Sequence, residues 1–226
     1  MNYNFFMNRT HKLACIAMLT ALSIVANLFT IPLSGSNSMS FTIAICFFTG
    51  IYFGPLPAAI VGFMGDLIAH FIPIGFSSGP YNWFIAIATT LFGVVAGLVY
   101  KLKLPKLANL GISSIICYIV CLCGLNTFGL WLYYIAGVSP SPWGLVKFFS
   151  MDQSGIQKSF WVYLAGRAPW SLINILVNTV IVAGLQHSKT IAKLMTNMRR
   201  KNKVEQTEAT QEEQAQQNKA DDNTLN

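Results

Sequence analysis

Two ionisable side chains stand out because of where they fall. Asp66 and Arg167 lie inside long apolar stretches, and the first two hundred residues hold only one other acid, Asp152. An ionised group within hydrocarbon is costly, so each calls for a partner or a task. Arg167 can fork onto a carboxylate, either that of Asp66 or that of a captured molecule. Asp66 and His70, four apart on a helix, could also relay a proton. Around these two the polar and aromatic residues recur at helical spacing: Gly62, Asp66 and His70; Asn126, Gly129 and Tyr133; Arg167, Trp170, Asn174 and Asn178. Each set marks one face of a helix. Three helices with one polar face each describe a bundle around an internal site. Tyr81 and Trp83, with Trp143, Trp161 and Trp170, add flat surfaces that could stack on a heterocycle or sit at the membrane interface. Candidate binding residues are therefore Asp66, His70, Tyr81, Trp83, Asn126, Tyr133, Arg167, Trp170 and Asn174.

Other chemistries lack their residues. There is no phosphate-binding glycine loop ending in Lys-Ser/Thr, no HExxH, no Ser-His-acid set and no pair of carboxylates within the bundle. A soluble enzyme is excluded, and neither a cofactor nor a metal is expected. Cys117, Cys121 and Cys123 have no His, Asp or Glu beside them and read as small packing residues. The net charge of +7 does not imply nucleic acid, since the basic residues cap apolar runs instead of forming a groove-reading module.

The elements that must hold these residues are membrane spans. Of the 226 residues, 54% are hydrophobic and 10% charged, far below the roughly 25% charged of a soluble domain. A span needs about 20 apolar helical residues. The apolar runs are about 13–33, 41–53, 56–72, 83–100, 110–136 and 160–186. Segment 41–53 is short, and loop charge decides its status. Basic residues cluster before 13, at Lys101, Lys103 and Lys106, and after 188. The positive-inside rule puts all three in the cytoplasm, which requires four crossings before Lys101 and two after it. The expectation is an all-α membrane protein: a single bundle of six transmembrane helices over 13–187, with both termini cytoplasmic. Residues 1–12 form the N-terminal arm, and 188–226 a basic and then disordered tail. The outer loops are then 34–40, 73–82 and 137–159. Small-xxx-small pairs (Ala17/Ala21, Ala58/Gly62, Gly93/Gly97) signal close helix contact.

The chain resembles the substrate-binding S components of energy-coupling factor (ECF) vitamin transporters, and among them the folate branch. The resemblance lies in Ala17-Met-Leu-Thr-Ala21, Phe53-Gly54-Pro55-Leu56, Gly65-Asp66-Leu67-Ile68, Ser78-Gly79-Pro80-Tyr81, Leu125-Asn126-Thr127 and Arg167-Ala168-Pro169, over roughly 10–187. It implies a six-helix receptor that captures a vitamin at its outer side. The receptor would dock, through Ala17 and Ala21, on a transmembrane coupling subunit driven by two ATPase subunits. Two departures bear on the ligand. Asn27 and Trp170 stand where the folate branch carries cations, which makes a smaller or less anionic vitamin, such as pantothenate or a queuosine precursor, the rival. Of other classes, a self-sufficient proton-coupled carrier would use Asp66 and His70 as its relay. A membrane scaffold would use the basic 189–203 segment to hold anionic lipid.

Overall fold

The computed structural model describes residues 9–34, 37–72, 81–102, 104–134 and 156–188. The outer loops with Ser77–Pro80 and Trp143, and the tail from 189, lie outside the described residues.

The first helix, α1, is Arg9–Leu28. It ends five residues before the predicted limit of 33, because the chain turns there into a small antiparallel hairpin, β1 (Ile31–Ser34) and β2 (Asn37–Met39). Ile31-Pro32-Leu33 reads as apolar continuation, but Pro32 has no amide hydrogen to continue a helical ladder. A two-stranded ribbon leaves an outer edge where that costs nothing. The architecture is therefore helical with one hairpin, not purely α.

Helix α2 is Thr42–Phe53, and its first turn is held by Ser40, whose Oγ accepts from the amide of Thr42 at 3.2 Å. Gly54, at φ 94°, then reverses the chain in one residue, and Pro55 opens α3 (Pro55–Phe71). That φ is open to glycine, and proline fits the first helical position, where no amide hydrogen is needed. Helix α4 (Trp83–Val99) begins at Asn82, whose side chain accepts from the Phe84 amide at 3.1 Å. The basic turn that follows is drawn in by Asn109, whose Nδ2 donates to the carbonyls of Leu102 and Leu104. Helix α5 (Lys106–Ile116) runs on through a π-helical stretch, Cys117–Asn126, into α6 (Thr127–Tyr134). The Thr127 hydroxyl donates to the carbonyl five residues back, at Leu122. Helix α7 (Ile156–His187) contains Pro169. Beside it the Tyr118 hydroxyl reaches across from the π stretch and donates to the Ala168 carbonyl at 3.1 Å.

Counting α5, the π stretch and α6 as one rod, six helices are described. Leu107–Tyr133 and Phe160–His187 are long and apolar enough to cross a bilayer, while the other four give shorter apolar stretches, Lys12–Leu28, Thr42–Phe53, Pro55–Phe71 and Trp83–Val99. At 1.5 Å per residue, α2 is only about 18 Å long. It sits at the centre of the packing. Its Cys46 and Phe47 join Phe92 of α4, Leu110, Cys117, Cys121 and Leu122 of the fifth rod, and Ile175 and Val182 of α7 in one buried cluster. The small pairs of α3 and α4 face each other. A Cβ on Gly62 would fall 2.8 Å from the Thr89 carbonyl oxygen, and one on Gly97 would fall 2.7 Å from the Pro55 nitrogen.

Candidate functional site

Two corners of the bundle gather the predicted polar residues. The first is the seam of α1 and α3. Asp66 is buried, and its Oδ1 accepts from Asn27 Nδ2 at 3.1 Å. One turn inward on α1, the Ser23 hydroxyl is fully buried against Gly65 and has no hydrogen-bond partner among the described residues. The seam closes at the start of α4, where the Tyr81 ring lies 5.1 Å from that of His70 and 5.2 Å from that of Trp83, each edge to face. The Tyr81 hydroxyl is buried; its desolvation and the nearby Asp66 carboxylate push its pKa up. Four of the predicted residues, Asp66, His70, Tyr81 and Trp83, therefore do meet. Asn27 is the member that residue spacing did not single out.

The second corner lies between α7 and the fifth rod. The buried positions of α7 carry Arg167, Ser171, Asn174 and Asn178, with the apolar Ile175 and Val182 among and beyond them. Arg167 donates from Nη1 to the Tyr163 hydroxyl at 3.4 Å and sits over the Tyr163 ring, 5.7 Å from its centroid. Two tethers set the register of the antiparallel rods. Trp131 and Phe160 stack edge to face at 5.4 Å near the outer end, and the Ser114 and Thr179 hydroxyls meet at 2.7 Å further in. Between these levels fall Asn126, Arg167 and Asn174. The Asn126 Oδ1 is buried with no partner among the described residues. Trp170 and Tyr133 are half-buried.

The loop-charge topology expects Asp66 and Arg167 at similar depth, and they lie on helices with different packing partners. Helix α3 packs on α1, α2 and α4, whereas α7 packs on α2, α5, the π stretch and α6. Asp66 accepts from Asn27, and Arg167 donates to Tyr163. The start of α4 joins the two corners. Tyr81 and Trp83 turn to the first, while Asn82 and Phe84 lie so close to Gly129 that a Cβ there would be 2.7 Å from both.

Sequence spacing missed Ser23, Ser40, Tyr163 and Ser171. A lone hydroxyl in a span carries no signal, because it can bond back into its own helix as Thr20 and Thr49 do. Ala17 and Ala21 lie elsewhere, exposed on the outer face of α1 with Leu13, Met18, Leu22 and Val25.

Residues 11–185 match the family model of the ECF transporter substrate-specific component. No curated protein matches the chain. Among solved structures, the S component of a bacterial ECF transporter is similar at a TM-score of 0.57 and 19% identity, over 83% of this chain and 99% of that one. FolT bound with folic acid is similar at a TM-score of 0.49 and 16% identity, over 74% of this chain and 93% of that one.

Proposed function

This chain belongs to the substrate-specific component family of ECF transporters, and we propose that it captures a vitamin at the outer face of the cell membrane for uptake driven by partner subunits. The observation that carries this reading is the middle of α7, where four polar residues, Arg167, Ser171, Asn174 and Asn178, are buried within a few turns. Four polar side chains buried in one apolar span call for a partner or a task. Arg167 would take an anionic group of the ligand. Tyr81, Trp83 and Trp170 would take its ring system, and Asn126, Tyr133 and Asn174 its polar edges. Asp66 and His70 would complete the site from the α3 side. A folate-like molecule suits this mixture of flat and anionic parts. Pantothenate and a queuosine precursor are its rivals, because Asn27 is engaged with Asp66 and brings no cation.

The exposed Ala17/Ala21 face of α1 would receive a transmembrane coupling subunit, itself driven by two ATPase subunits. Both termini would be cytoplasmic.

The test is a tryptophan-fluorescence titration of the purified chain with a panel of vitamins, repeated on Arg167→Ala. Saturable submicromolar quenching by one vitamin, weakened roughly ten- to hundred-fold in the variant, is the expected result. A flat response from folded protein across the panel would overturn the receptor reading. Full affinity in Arg167→Ala would remove the anion contact alone.

A further inference from the structure

We propose that Asn178 is a positioning residue: it locks the Asn174 side chain so that its amide nitrogen opens on the buried face of α7. The captured molecule must then present a hydrogen-bond acceptor there, a ring carbonyl oxygen, its anionic group being left to Arg167. This rests on the reading of the bundle as a substrate receptor.

The orientation follows from backbone groups whose roles are not interchangeable. The Ala44 amide can only donate, and it reaches one end of the Asn178 side chain at 3.1 Å, so that end is Oδ1. The Ser40 and Asn174 carbonyls can only accept, and they lie 3.0 and 2.8 Å from the other end, so that end is Nδ2. Turning the amide over would set N–H against N–H and oxygen against two oxygens. With Asn178 fixed, the Asn174 atom 2.9 Å from its Nδ2 must be an acceptor, Oδ1. The Nδ2 of Asn174 is thereby forced to the opposite side. No hydrogen bond from it to a described residue is seen. Asn178 is itself fully buried and spans three elements: α7, the start of α2 at Ala44, and Ser40 at the foot of the hairpin. Its own hydrogen-bonding capacity is spent, so it acts on a ligand only through Asn174.

The orientation is read first in the ligand-free chain, labelled with 15N at asparagine and held in lipid nanodiscs. The Asn178 side-chain amide should be protected from solvent exchange, with that of Asn174 exchanging at least about ten-fold faster. Equal rates, or the reverse order, would overturn the assignment whichever vitamin binds. Presentation is then read with folic acid and aminopterin, which carries an amino donor where folic acid has an oxo acceptor. Wild type should discriminate between them, and Asn178→Ala, by letting the Asn174 amide rotate, should bring their affinities to within about two-fold. Equal weakening of both probes with the ratio preserved means a merely structural role and overturns the proposal, as does a wild type that does not discriminate. Asn174→Asp keeps an acceptor towards Asn178 but replaces the free donor, so folic acid affinity should fall roughly ten- to hundred-fold with thermal stability retained. Unchanged affinity overturns the proposed donor. If wild type binds neither probe, the folate reading fails, and the exchange rates alone decide the orientation.

Discussion

The α3–α4 seam and the outer face of α1 carry the same pattern of small residues, and the bundle treats them in opposite ways. In the seam, Gly93 meets Ala58, Gly62 meets Thr89 and Gly97 meets Pro55, and the two backbones come so close that no side-chain carbon added at these glycines would fit. On α1, Ala17 and Ala21 are exposed, flanked by the large apolar side chains of Met18 and Leu22. In lipid the contact energy of such patterns comes from close backbone approach. A pattern already used inside the bundle is structural, whereas one left open has its contact still to make. The comparison teaches that a small-residue pair means nothing until its face is known.

The comparison can be broken most severely at the seam. Gly93→Val would drive two methyl groups into the backbone of α3 at Ala58, and overpacking of this kind costs about 3 kcal/mol or more when neither side can give. Little folded protein should be recovered in detergent, as judged by size-exclusion and thermal unfolding. Normal yield would mean that the two helices are free to separate. Next comes the double change Ala17→Trp with Ala21→Trp. Vitamin binding by the isolated chain should survive with stability within about 0.5 kcal/mol, while uptake in cells supplied with the partner subunits should fall to background. Preserved uptake would remove α1 as the docking face.

A smaller effect sharpens the seam itself. Gly62→Ala places one methyl 2.8 Å from the Thr89 carbonyl oxygen, and a loss of about 1–2 kcal/mol is expected from the shift it demands. The smallest effect belongs to Met18→Leu, a volume-conserving swap at an exposed site. It should leave binding and melting temperature unchanged, and a clear fall in uptake would show that the docking face reads shape beyond the two alanines.

Much of the fold was legible because hydrocarbon imposes strong rules. Apolar length gave the helices, and loop charge gave an expected orientation. The Phe53-Gly54-Pro55 turn could be placed from residue type, since only glycine takes the φ that Gly54 adopts without strain. Periodicity correctly grouped Arg167, Asn174 and Asn178 on one buried face. The hairpin at 31–39 was not legible, because Ile31 and Leu33 are as apolar as the helix before them. Nor was the π stretch, which shifts side chains round the rod between Cys117 and Asn126 without any change in composition.

What the sequence determined by itself was which residues are apolar and which of the polar ones share a face. These follow from the cost of polar groups in lipid and from the fixed pitch of a helix. Only the tertiary structure decided which face meets which. Rotation and crossing of the helices turned Asn27 to Asp66, consumed one set of small residues and exposed another, and fixed the Asn178 amide against two distant backbone segments. Such choices rest on contacts between residues up to 138 positions apart, which no local pattern encodes.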